Sequence, residues 1–163
     1  MSIFTADVHK LIVAVWNAND IDSKFLAYRP ANTDFPVLHD GEATPGNDFP
    51  YCVFESTPPN TITRTTGNEE YSYMINRVPV NFNVHTKGAN GKSAKKIASE
   101  LVEELLAVFG GHPTRNPPEL PALDHGCALI AQYMSDLPIR TGDDEYRWNL
   151  EYVFLTDIPV RVA

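Results

Sequence analysis

A chain of 163 residues with an ordinary apolar fraction suits one domain around one core and excludes disorder throughout. Its 21 acidic against 13 basic residues leave a formal charge of −8, which favours solubility and argues against a dedicated nucleic-acid binder, whose footprint is a basic patch. The two cysteines, Cys52 and Cys127, sit in the apolar runs "YCVF" and "CALIAQY" with no CxxC spacing, so buried thiols are expected and neither a zinc site nor a redox dithiol is supported.

From the N-terminus, Ser2 to Asn17 read as a helix, because Phe4, Val8, Leu11, Ile12 and Val15 recur at helical spacing. The segment has no basic region before its apolar run, so it is not read as a signal peptide, and a cytoplasm-like compartment is expected. Residues Ser23 to Phe49 hold no lasting period; "KFLAYR" and "FPVLH" read as short strands. "PYCVFES" reads as a strand between prolines. The polar stretch Thr57 to Glu70 is either a surface loop or a β-hairpin arm able to add strands to a neighbour's sheet. A half-buried strand follows, with Val78, Val80, Phe82 and Val84 facing one way and Asn81, Asn83 and His85 the other. Pro79 suggests an edge or a bulge at its start.

Ser93 to Phe109 carry a continuous apolar stripe (Ala94, Ile97, Ala98, Leu101, Leu105, Val108) and end at Gly110-Gly111, a helix with a stop signal. After a proline-rich loop, Cys127 to Tyr133 read as a strand, "DLPIRTGDDEYR" as a turn, and Tyr146 to Leu155 as the last strand, with Trp148, Leu150, Tyr152 and Phe154 on one face. The implied fold is α+β: a mixed or antiparallel sheet packed on one face by a central helix (about residues 93–109) and an N-terminal helix (about residues 3–17).

Gly91-Lys92-Ser93, between a strand and a helix, stands where a phosphate-binding loop would. Such a loop needs its first glycine five residues before the second, and that position holds Thr86; Gly88 leaves the loop too short to wrap a triphosphate. The expectation is therefore a turn from Gly88 to Gly91, with Ser93 capping the helix. Lys92, Lys95 and Lys96 then cluster at a helix N-terminus, the wrong end for the dipole, in solvent or against a partner's carboxylates.

Other constellations are sparse. Among five histidines no pair has helical metal-ligand spacing; His112, His125 and Asp124 flank the proline-rich loop as the nearest thing to a metal set, and His9 reads as lying on the polar side of the first helix. Asp143 to Glu145 read as a solvated turn tip. No nucleophile elbow and no paired carboxylates are evident, so no catalytic, metal or cofactor residue is assigned.

The succession "FPYCVFE", an arm, "RVPVNFNVHT", "KSAKKIASELVEELLAVF", "CALIAQYMSD" and "YRWNLEYVFL" resembles the tail terminator, or tail completion, proteins of long-tailed bacteriophages and the related small neck proteins. The resemblance covers roughly Phe49 to Leu155, with Ser2 to Asn17 matching the family's first helix; residues Ser23 to Asp48 are longer than the family pattern. It implies a single domain over residues 1–163, an arm at about 57–70, and a structural virion protein assembled in the host cytoplasm. Its partners would be itself in a homohexameric ring, the tail tube protein and a neck or head-completion protein, with DNA passing through without specific binding and no membrane. On that reading Thr61, Ile62, Thr63, Arg64 and Thr65 of the arm are the first interface candidates. Asn81, Asn83, His85, Lys92, Lys95 and Lys96 are the second. The head-side adaptor is the alternative, and a phosphate-binding enzyme using the loop at 88–93 is the alternative from another class.

Overall fold

The computed structural model describes residues 3–29, 35–43, 46, 48–56, 60–66, 71–123 and 126–161. In chain order these form α1 (Ile3–Ala18), α2 (Ile21–Leu26), β1 (Leu38–Asp40), β2 (Tyr51–Ser56), β3 (Asn60–Thr66), β4 (Tyr71–Lys87), α3 (Ala94–Phe109), β5 (Ala122–Leu123), β6 (Gly126–Gly142) and β7 (Glu145–Arg161). The strands make one seven-stranded sheet in the order β1-β2-β4-β7-β6-β5, and β3 also pairs with β4. Only β1 and β2 run parallel; every other pair is antiparallel, so the sheet is mixed and the fold is α+β as expected.

Alternation along β4 sends Val78, Val80, Phe82 and Val84 inward, where they meet Cys52 and Phe54 of β2 and Leu150, Tyr152 and Phe154 of β7 in one cluster. The stripe read on α3 covers them with Ile97, Leu101, Leu105 and Val108, and α1 adds Val8, Leu11, Ile12, Val15 and Trp16. Both helices therefore lie on the same face. Ser93 caps α3 by accepting from Lys96 N at 3.3 Å, and Gly110, at φ 116, ends it. The Tyr152 hydroxyl donates to Gly110 O at 2.7 Å, tying that end of the helix to the middle of β7.

Three local expectations change, and one open choice is resolved in part. "KFLAYR" is not a strand: α2 occupies Ile21–Leu26, burying Ile21 and Phe25, and the Trp16 indole donates to Asp22 Oδ1 at 2.6 Å to hold α2 against α1. Of the two readings of the stretch after Ser56, loop or strand-forming arm, the structure shows a strand at Asn60–Thr66, β3, antiparallel to β4. "DLPIRTG" is not a turn: β6 continues to Gly142, and the turn shrinks to Asp143-Asp144. Pro138 fits because over most of its length β6 is an edge strand, where a missing N–H has no ladder to break. His9 is not on the polar side of α1; it is 8% exposed.

Pro79 lies within β4, yet the register explains it. β2 pairs with residues 80–85 and β3 with residues 72–77, so positions 78 and 79 face the gap between two collinear strands. Cys52 is fully buried and its thiol is pushed well up by desolvation. Cys127 lies on β6, with β4 and β7 between it and β2, roughly 14 Å away by strand spacing alone and too far for a disulfide.

Candidate functional site

The loop "GANGKS" folds as a tight turn and nothing more. Asn90 and Gly91 both take positive φ, 52° and 75°. Ala89 N donates to Lys92 O at 3.1 Å, and Lys92 N donates to Ala89 O at 2.9 Å. Two left-handed residues bracketed by reciprocal bonds are what an Asn-Gly hairpin turn requires. The anion-favouring N-terminus of α3 is already filled, because Asp144, from the tip of the β6–β7 hairpin, accepts from Ala94 N at 2.9 Å through Oδ1. Gly88 donates to Asp144 O at 3.1 Å, and a Cβ on Gly88 would fall 1.6 Å from Asp144 Oδ2. Gly88 is thus a glycine because a carboxylate lies against it. Asp144 itself sits at φ 51, a left-handed position that Asp tolerates better than most residues.

Lys92 reaches away from this loop. Its Nζ is 3.0 Å from both Glu100 carboxylate oxygens and 5.5 Å from the centre of the Tyr28 ring, and the Tyr28 hydroxyl donates to the same carboxylate. The hydrogen bonds from Tyr28 and Lys92 hold the Glu100 carboxyl below its usual range. Lys95 and Lys96 are exposed.

His9 joins three elements. Its Nδ1 lies 3.0 Å from Asp40 Oδ2, and its Nε2 lies 2.7 Å from Ser56 Oγ, with the Phe54 ring edge-on at 5.0 Å. The carboxylate calls for a proton on Nδ1, so a neutral ring accepts from Ser56 through Nε2. These are the atom types of a nucleophilic triad. A cavity of about 610 Å³ between α1 and β1 is walled by His9, Asp40, Val13, Trp16, Val37 and Leu38 among others, but Ser56 is not part of its wall. The three side chains link α1, β1 and the end of β2, with His9 buried, Ser56 half-buried and Asp40 exposed.

The opposite face of the sheet carries the second group of candidates. Cross-strand partners share a face, so the register sets out its rows. One row is Tyr51, His85, Arg147 and Ile139; the next is Val53, Asn83, Asn149 and Leu137; the next is Glu55, Asn81, Glu151 and Ser135. The described helices all pack on the other side. The Tyr51 and His85 rings stack at 4.7 Å with a 10° interplanar angle, and Asn149 Nδ2 donates to Asn83 Oδ1 at 3.0 Å. Burial, and then the Arg147 charge, lower the His85 pKa to about 4, so this imidazole is neutral at physiological pH. Sequence alternation placed Asn81, Asn83 and His85 here. The alternation of the last strand puts Arg147 here as well, opposite Trp148 and Leu150; what it did not show is that the Arg147 Nε is buried without a hydrogen-bond partner.

The arm candidates Thr61, Ile62, Thr63, Arg64 and Thr65 lie on β3, antiparallel to the first part of β4, with a register shift between Thr61 and Thr63. They belong to a different region of the sheet from the rows at 81–85. His112 Nε2 is 3.2 Å from Glu103 Oε1, and its Nδ1 accepts from the backbone of Thr114 and Arg115; Asp124 and His125, the rest of that proposed metal set, lie outside the described residues. Among the described residues no His, Cys, Asp and Glu grouping is disposed to hold a metal, and no helix is long and apolar enough to cross a membrane.

No protein-family model and no curated protein matches the chain. Among solved structures it is similar to a chain in the virion of a native gene transfer agent particle, with 15% identity and a TM-score of 0.42 over 74% of this chain and 78% of that one. A likeness at that level is too loose to assign a role.

Proposed function

We propose that the chain is a structural virion subunit of a long-tailed phage or phage-like particle: a tail terminator that closes as a homohexameric ring on the end of the tail tube and joins it to the head. The observation that carries this reading is the disproportion between sheet and helices. β4, β6 and β7 each run 17 residues, about 55 Å, whereas α1 and α3 at 16 residues each span about 24 Å. Strands of that length are far beyond the usual five or six residues. One end of the blade carries the helix-packed core and the other carries β3 as a sheet extension. Such a shape supplies contact surface, and its edges and the face opposite the described helices suit joining to copies and partners.

The resemblance read in the sequence supports this reading; the end of α2 and all of β1 fall within the segment that is longer than the family pattern. A charge of −8 suits a ring through which DNA passes without being held. The 163 residues act as one domain on this reading. Ring closure needs a head-to-tail contact between two different surfaces of the subunit. β3, with Thr61 to Thr65, is the first candidate for one of them; the face at Asn81, Asn83 and His85 is the second. Lys95 and Lys96 are free to meet a partner's carboxylates, whereas Lys92 is already engaged by Glu100. The partners are the tail tube protein and a neck or head-completion protein.

The head-side adaptor is the second reading, favoured by the same shape. Particles produced without this chain separate the two. Loss of a terminator leaves overlong or unjoined tubes, because nothing stops their growth. Loss of an adaptor leaves tails of normal length that fail to attach. Normal particles made without the chain would contradict both.

A further inference from the structure

Arg147 is the anomaly of the face opposite the described helices. It projects from β7 between His85 of β4 and Ile139 of β6, and its buried Nε has no hydrogen-bond partner. Two other described cations that lie against the fold are partnered. Arg29 donates to the carbonyls of Pro50, Phe35 and Pro36, and Lys92 is held by Glu100. A desolvated guanidinium N–H left unpaired is destabilising, so its retention asks for an explanation in a bound state. Within its own row and the row of Asn83 and Asn149 no group supplies a counter-charge. His85 is neutral, and Asn83 and Asn149 are amides that bond to each other. The nearest carboxylate along β7, Glu145, lies 3.9 Å from Lys87.

We propose that Arg147 is the receptor for a carboxylate presented by a second copy of this chain, with the Asn83 side-chain amide as a further donor one row away. The proposal rests on the ring reading and gives that face its partner. A carboxylate matches the guanidinium fork and would satisfy the orphaned nitrogen after a small side-chain rotation. A second copy fits because the chain carries 21 acidic residues against 13 basic, so acceptors are in surplus on any neighbour. A head-to-tail ring joins two different surfaces of the subunit, which allows this face to meet a carboxylate that it does not itself present to its own copy.

The test compares Arg147→Met and Arg147→Lys with the unaltered protein, reading melting temperature under monomeric conditions and solution mass across concentration and salt. Met keeps the apolar stem and removes the charge. The expected result is an Arg147→Met monomer that melts no lower than the parent, while the midpoint concentration for assembly rises roughly tenfold or more and its salt dependence flattens. Arg147→Lys should fall between the two, keeping the charge and losing the fork. Assembly of Arg147→Met with the parent's midpoint would overturn the proposal and leave the ring intact. A lower melting temperature with unchanged assembly would show a structural arginine and overturn it also. A parent protein that stays monomeric at every concentration would overturn the ring reading, and this proposal with it.

Discussion

Asp144 and Gly88 form a pair that only the folded chain brings together. The Asp144 carboxylate satisfies the first free amide of α3, and Gly88 leaves it the space to do so. Gly88→Ala should therefore evict the carboxylate and lower stability by about 1–3 kcal/mol, the range for losing a charge-assisted hydrogen bond with some strain. In an Asp144→Gly background the same alanine should cost only a few tenths of a kcal/mol, since the clash is gone. Denaturant unfolding of the four proteins checks this; equal costs in both backgrounds would refute the contact. His85 makes a second prediction at this scale. Its folded pKa of about 4 lies below the ordinary value of 6.5, so the unfolded chain takes up the proton first as pH falls. The contribution of His85 to stability is complete above about 6.5 and is lost as pH falls toward 4. His85→Phe, which keeps a ring beside Tyr51, should flatten the stability profile in that window alone, as followed by melting temperature against pH. Identical profiles for both proteins would contradict the assigned burial.

At the scale of elements, β3 and the early part of β4 form an extension that the core does not need. β2 ends opposite Val80 and β4 begins at Tyr71, so the chain must travel about 30 Å to start β4, and β3 fills that path as a strand. Replacing residues 57–77 with a short Asn-Gly turn, so that Ser56 leads into Val78, should leave cooperative unfolding and remove self-assembly. Circular dichroism melts and solution mass read the two effects, and a truncated protein that still assembles would exclude the arm from the interface. The helices α1 and α3 were legible because each carries a full apolar stripe, β4 and β7 because they alternate, and β2 because prolines mark off a short apolar run. The reach of the strands was not. Polar residues and Pro138 in an edge strand look like a turn, and the Thr-rich β3 carries no apolar alternation to distinguish a strand from a loop. The place of Asp144 depended on that reach. With β6 taken to stop near Tyr133, no reasoning puts residue 144 against residue 88. The link between His9, Asp40 and Ser56 was hidden for a related reason, since its members come from α1, β1 and β2, and their meeting depends on how α1 seats on the sheet.

At the scale of the whole molecule, the described helices pack on one face of the sheet and the other carries mostly polar groups. All the described helices and the buried cluster lie on one face, while the other presents amides, an imidazole, charges and a buried, unpaired guanidinium nitrogen. The glycine loop that resembles a phosphate site is closed on both counts that matter, being a two-residue turn beside a helix end that holds the chain's own carboxylate. The central claim is that this subunit is built to associate with copies of itself in a ring. Light scattering after size exclusion, across a range of concentrations and with tail tube ends present as template, tests it most directly. The account predicts a hexamer, or a monomer that converts to a hexamer with concentration or on the template. A strict monomer under all of these conditions, with no mass gained on tube ends, would contradict it.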